Sequence, residues 1–518
     1  MTTAATIRRV AAKVLERPLL AALLLAALFL GVVQRELALV APNYDEGVYV
    51  MQARQALDGL TPYADFFYHQ TPLYLHSLAG FFAIAGDSLW HARLLSLMAT
   101  AASGVIVAVI ARQWLPAAPA LAAQIIFYSA PLQRYGTMAL PNALMLLASL
   151  AGICVLVRSG TAAAAAAAGV LLALAVLLKP LDLPVVLAVG GWLALRREER
   201  GRLPVFVAAG IATAIVAAVA IHLTSHGAFT QTLEVQASRY SERKGFFVLA
   251  QHVPDFRQAI AERGVTTALG WNISEHVQAF TSFGPVNGNL WLLIAGVCGL
   301  IFARAHLPSG AVALASSWAA MPLAFSLLVW EPSWDHYFVQ YVPPLAVAAA
   351  ALFAAALARG GRRASAAVFV LTLYAALGFV SRPSDPDFYA RAQELGARLS
   401  KPYLTFSPLI SLAGGTEPAC GMTDPQNIFG EYSAPMSVPE GPLMRFLITP
   451  QKLIDCIGTD MPVVIDRFAF WFLEPALYRH LAATPHRLSY FTPEDEKRFA
   501  AGPEAGFVAP VEPASAAQ

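Results

Sequence analysis

The chain has 518 residues; 57% are hydrophobic, only 13% are charged, and the formal net charge is +2. Soluble domains carry about 25% charged residues, so the composition excludes a soluble enzyme and predicts a polytopic membrane protein. The net charge says little by itself, because position along the chain matters more than the total.

A spanning helix needs ~20 mostly apolar residues. In chain order, eleven stretches are candidates: roughly Pro18–Leu39, Ser88–Ala111, Pro116–Leu132, Leu140–Val157, Ala162–Leu178, Leu183–Leu195, Leu203–Ile221, Val286–Ala303, Ala311–Trp330, Phe338–Leu357 and Ala364–Val380, of which the sixth is short and can extend back to Pro180. The first is not followed by a small-residue cleavage site, so it reads as a retained span rather than a signal peptide. Leu73–Gly86 is apolar but short, which suits a re-entrant or interfacial helix.

Short loops rich in Lys and Arg stay in the cytoplasm. With the N-terminus inside, Arg8, Arg9, Lys13, Arg17, Arg112, Arg158, Arg196, Arg197, Arg200, Arg202, Arg304, Arg359, Arg362 and Arg363 all fall on the inner side. The loop around Asp45, Gln133–Ala139, Lys179–Asp182, His222–Pro285 and Glu331–Tyr337 then share the outer side.

Tyr44 to Pro72 reads YDEGVYVMQARQALDGLTPYADFFYHQTP. Asp45 and Glu46 are adjacent carboxylates at the expected membrane edge. Val48, Met51, Gln52, Gln55 and Ala56 follow at helical spacing, which predicts a short interfacial helix beginning near Asp45. An Asp at that place also reads as a simple helix cap. The pattern DEG-x-Y, a G-x-x-PY-x-DF turn and Q-x-P-L-Y resembles the first external loop of GT-C glycosyltransferases, closest to the protein O-mannosyltransferase (family 39) type, which includes the lipid A aminoarabinose transferases. The resemblance runs from about Pro18 to Val380 and is strongest in this loop.

That resemblance implies a mainly α GT-C membrane enzyme. It would move a hexosyl or pentosyl group from a polyprenyl-phosphate-linked sugar donor to a lipid, glycan or protein acceptor outside the membrane, with inversion. The reaction needs a base for the acceptor hydroxyl and positive charge for the departing phosphate. The family's acidic residue falls on Asp45, with Glu46 in support. Lys179, after the fifth apolar run, and Arg134, after the third, are the phosphate candidates; a Lys at a helix end also reads as simple snorkelling. Arg93, in WHARLLS, matches a recurring arginine that holds the loop. Tyr68, His69 and Gln70 lead into Pro72; the Glu-Lys pair of aminoarabinose transferases is replaced by Gln70-Thr71, so those roles do not carry over. Asp335-His336-Tyr337 before Pro343-Pro344 resembles the region facing the carrier, making His336 and Tyr337 binding candidates. Where the family often has a second acid, this chain has Asn142, which offers a metal no charge. No cofactor is therefore expected, with magnesium or manganese as the alternative, and no nucleic acid.

From Ser381 the chain turns polar and Pro-rich. Residues 381–500 read as a small extracytoplasmic α/β domain, with a helix over Asp387–Leu399 and strands at Tyr403–Leu412 and Met461–Asp466. The tail 501–518 is expected to be disordered. Residues 1–380 would be the membrane domain, with 34–87 its first external loop. Cys154 and Cys298 lie in apolar runs; Cys420 and Cys456 can pair if their part is outside the membrane. The expected location is a bacterial inner membrane, among membrane lipids. A flippase of lipid-linked sugars predicts ionisable or broken segments at mid-membrane, and a non-catalytic scaffold leaves the Asp45 loop unexplained.

Overall fold

The structure is a computed structural model. It describes residues 16–38, 43–68, 70–225, 288–302, 307–328 and 335–380, and, beyond these, 390, 392–394, 397, 403–416, 418–423, 448–458, 461–465, 475–483 and 488–490. The described residues of Met1–Leu37, Leu94–Ala218 and Ser241–Arg382 form one compact unit. Those of Ala38–Arg93, Val219–Tyr240 and Pro383–Gln518 form a second.

The first unit is helical. Its elements are α1 (Pro18–Val33), most of α4 (Leu89–Arg112), α5 (Ala117–Ser129), α6 (Asn142–Arg158), α7 (Ala162–Leu178), α8 (Leu183–Leu195), most of α9 (Leu203–Ser225), α10 (Gly288–Phe302), α11 (Ser309–Leu328), α12 (Val342–Arg359) and α13 (Gly361–Val380). Each falls on one of the expected apolar stretches. By length and composition, Leu89–Arg112, Arg200–Thr224 and Phe338–Arg359 are long and apolar enough to cross a membrane. The 3-10 segment Pro131–Thr137 and α6 make a fourth candidate, bent by 104°. Proline punctuates the turns between helices: Pro131, Pro141, Pro180 and Pro184 each lack the N–H that a continuing helix needs. Leu28, Val216, Phe302 and Phe369 keep more than half their area exposed, as a lipid-facing surface requires. Helices α10 and α12 touch through Gly299, where a Cβ would collide with the carbonyl of Ala348; such small-residue contacts let membrane helices pack backbone to backbone.

The second unit holds α2 (Tyr44–Leu57) and α3 (Leu73–Ala85), together with the C-terminal elements β1 (Leu404–Thr405), α14 (Pro408–Ala413), α15 (Pro450–Ile457), β2 (Val463–Ile465), α16 (Pro475–Ala483) and β3 (Leu488–Tyr490). The strands form a parallel sheet in the order β1-β2-β3, with Leu404 opposite Val463 and Val464 opposite Ser489. Parallel neighbours need crossovers, and α15 and α16 lie between successive strands. Tyr403, Leu409, Ile410, Val464 and Ala392 form a buried cluster.

One expectation needs correction. Tyr403–Leu412 is not one strand: the strand stops at Thr405 and α14 begins at Pro408. Proline at the first helical position is preorganised for a helix and interrupts a ladder. Cys420 and Cys456 are joined by a disulfide, with Cα atoms 6.0 Å apart, while Cys154 and Cys298 are unpaired. The expected helix over Asp387–Leu399 lies mostly, and the tail wholly, outside the described residues.

Candidate functional site

In the second unit the site begins with a cap. Asn43 is the N-cap of α2: its side chain accepts the Asp45 N–H at 3.0 Å, and its own N–H donates to Glu46 Oε2 at 3.1 Å. This reciprocal box satisfies backbone donors at the helix start. Asn43, which the sequence pattern had not singled out, thus does the capping that Asp45 was a candidate for. Asp45 itself is half-buried.

Glu46 is fully buried and is held by Arg93, also fully buried. Arg93 Nε donates to Oε1 at 2.7 Å and Nη2 donates to Oε2 at 2.6 Å. A planar guanidinium matches a carboxylate in this forked manner, and a lysine cannot. Both Glu46 oxygens are therefore committed, and the arginine locks the first turn of α2, which carries Asp45. One residue further on, Gly47 faces α14: a Cβ there would lie 2.6 Å from the backbone nitrogen of Leu409.

The loop after α2 is built around buried tyrosines. Gln52 donates to the Phe67 carbonyl at 3.0 Å. Tyr63 has a φ of 66° and donates its hydroxyl to the Gln70 carbonyl. Burial first, and then Tyr68, holds the Tyr63 phenol well above its ordinary range, so it remains a donor. The Tyr63 and Tyr68 rings meet edge-on at 5.8 Å. Tyr68 and Gln70 are thus brought together through Tyr63. His69 lies outside the described residues.

In the first unit, Lys179 ends α7 and is 5% exposed. Its ammonium donates to Asn142 Oδ1 at 2.8 Å, so two predicted residues from different helices meet. Arg134 lies in the 3-10 segment Pro131–Thr137; it donates to the Tyr135 hydroxyl at 2.6 Å and stands over that ring. The backbone of 335–341 is also a 3-10 turn, but the side chains of His336 and Tyr337 lie outside the described residues.

The sequence pattern passed over Asp182. It is fully buried, its Oδ2 accepts from Ser149, and its Oδ1 has no partner. Burial pushes its carboxyl up to about 8, with the Ser149 hydrogen bond opposing. A signal for it was present: Asp182 is the sole acid between Asp87 and Glu198.

A divalent metal needs several anionic oxygens. Glu46 is bonded by Arg93 and the cap, Asn142 accepts from the Lys179 ammonium, and among the described residues no three His, Cys, Asp or Glu side chains converge.

Residues 69–224 match the family model described as dolichyl-phosphate-mannose-protein mannosyltransferase. Among solved structures, ArnT from Cupriavidus metallidurans in the apo state is similar at 14% identity and a TM-score of 0.50, over 76% of this chain and 84% of that one. The Archaeoglobus fulgidus oligosaccharyltransferase in complex with Zn and sulfate is similar at 12% identity and a TM-score of 0.51, over 77% of this chain and 62% of that one. The same enzyme tethered to an acceptor peptide containing the NVT sequon gives 11% identity and a TM-score of 0.51, over 83% of this chain and 68% of that one. At such identities the likeness is one of fold. No curated protein matches the chain.

Proposed function

We propose that this chain, which has the GT-C fold and over residues 69–224 matches the dolichyl-phosphate-mannose-protein mannosyltransferase family, is an integral membrane glycosyltransferase with a polyprenyl-phosphate-linked sugar as donor. Asp45 takes the proton of the acceptor hydroxyl. That oxygen attacks the anomeric carbon, the bond to the carrier phosphate breaks with inversion, and Lys179 neutralises the departing phosphate. Glu46 and Arg93 position Asp45 and do no chemistry.

The observation that carries this reading is the division of labour at the start of α2. Glu46 is fully occupied by Arg93 and the cap, while Asp45, beside it, sits half-buried on the same immobilised turn. An acid held this way costs little reorganisation at the moment of reaction.

The chain crosses a bacterial inner membrane eleven times, with the N-terminus in the cytoplasm and the C-terminal elements outside. The acceptor is a lipid, glycan or protein. The reaction proceeds without a divalent metal, a reading supported by the Lys179–Asn142 bond at the position where relatives often have a second acid.

The test is transfer by purified protein in detergent. Asp45→Asn keeps the shape but cannot accept a proton; turnover should fall about 10²–10⁴-fold, with carrier binding retained. Near-normal turnover removes Asp45 from the role. EDTA should leave wild-type turnover unchanged, and inhibition reversed by manganese or magnesium would sink the metal-independent reading.

A further inference from the structure

A cavity between α5, α10, α12 and α13 has no part in the chemistry proposed above. Its volume is about 550 Å³, and every side chain on its wall is apolar or aromatic. Trp291 and Val370, on that wall, keep more than half their area exposed, so the cavity opens on the outside of the helices. Along α13 the wall runs from Ala366 to Leu377, about 16 Å at about 1.5 Å per residue. That is about half the ~30 Å hydrocarbon core of a bilayer, the reach of an acyl chain from one leaflet.

One end of the cavity is basic. Ala356, on its wall, lies three residues before Arg359 on α12; Ala366 and Ala367 lie three and four residues after Arg363 on α13. Residues so spaced share a helix face. Gly360 and Gly361, with φ of 62° and 57°, turn the chain between the two helices. Arg359 donates to the Ala355 carbonyl at 2.9 Å. Arg362 and Arg363 are exposed, and neither has an ion pair among the described residues. This basic end lies away from Lys179. The 3-10 turn 335–341 that leads into α12 packs against 131–137 and α6, and α6 begins at Asn142, the partner of Lys179. From there α12 runs 18 residues to Arg359, about 26 Å.

We propose that this cavity holds an acyl chain of an anionic phospholipid, whose headgroup phosphate rests on Arg362 and Arg363. In the orientation read above, this is a lipid of the cytoplasmic leaflet and not the carrier, whose phosphate is assigned to Lys179 at the other end of the helices. A guanidinium matches phosphate oxygens in a forked manner, and basic pockets between spanning helices recognise anionic headgroups. Arginines in a cytoplasmic turn also set orientation, but that role needs no cavity beside them.

The test is native mass spectrometry of the full chain in detergent, titrated with phosphatidylglycerol, phosphatidylcholine or undecaprenyl monophosphate. Wild type should bind phosphatidylglycerol about tenfold or more tightly than phosphatidylcholine, as two arginines beside a headgroup provide. Arg362→Gln combined with Arg363→Gln should remove that preference without changing the melting temperature, because both side chains are exposed. Arg197→Gln, at an exposed arginine in another turn, should keep it. Ala367→Phe, which fills the cavity, should weaken binding of both phospholipids; the arginine variants keep the test decisive if it does not fold. Equal wild-type affinities for the two phospholipids overturn the inference, as does a preference that survives in the double variant. Undecaprenyl monophosphate that displaces phosphatidylglycerol, and loses affinity in the double variant, also overturns it, because the cavity then belongs to the carrier. Glycosyl transfer enters none of these readouts, so a failure of Asp45 as the base leaves the inference intact.

Discussion

Glu46 and Arg93 are 47 positions apart, and their pairing commits both carboxylate oxygens of one of two neighbouring acids. Breaking a buried pair leaves an unsatisfied charge and costs about 3–5 kcal/mol. Arg93→Ala should therefore lower the melting temperature sharply, and Arg93→Lys should not restore it, because an ammonium cannot serve both oxygens. Wild-type melting in Arg93→Ala would show that the first turn of α2 is held by something else. Asp182 has the opposite sign. Its folded carboxyl sits near 8 against an ordinary 3.8, so the folded state binds the proton more tightly. That contribution is fully present below about 3.8 and is lost as pH rises toward 8. Asp182→Asn, which never ionises, should gain thermal stability relative to wild type as the pH is raised from 5 to 9. A gain independent of pH would mean that Asp182 is already ionised in the fold.

Helix α2 was legible as an element: its spacing, and acids near its start, predicted a helix beside Asp45, and the structure has one from Tyr44 to Leu57. What it packs against was not legible. Gly47 reads in sequence as a helix-weakening residue, but its physical reason is the backbone of α14, more than three hundred residues later. Backbone cannot retreat as a flexible side chain does. Gly47→Ala should cost about 1–3 kcal/mol of stability, read by chemical denaturation, and should lower turnover by displacing Asp45. A neutral Gly47→Ala would mean that α14 can move away at no cost. The strand expected over Tyr403–Leu412 stops at Thr405 because Pro408, at the first position of α14, is preorganised for a helix and interrupts a ladder.

At the scale of the whole molecule, reporter fusions after Arg202 and Arg363 should report cytoplasm, and fusions after Ser381 the outer side. A cytoplasmic signal from the last would remove one span. Cys420 and Cys456, bonded in the structure, should resist thiol labelling of the denatured protein until it is reduced; labelling without reductant would place them in a reducing compartment. The sequence by itself determined the helices of the membrane part, because burial in lipid demands long apolar runs and internally paired backbone, and both leave one-dimensional traces. It also marked Asp45, Lys179 and Asn142, since charged and amide residues at the ends of apolar runs are few. Only the tertiary structure decided that Lys179 meets Asn142, that Glu46 belongs to Arg93, and that Asp182 turns from its own helix to Ser149. Those partners lie tens of residues apart, and a hydrogen bond depends on a separation of about 3 Å in space that spacing along a chain does not encode.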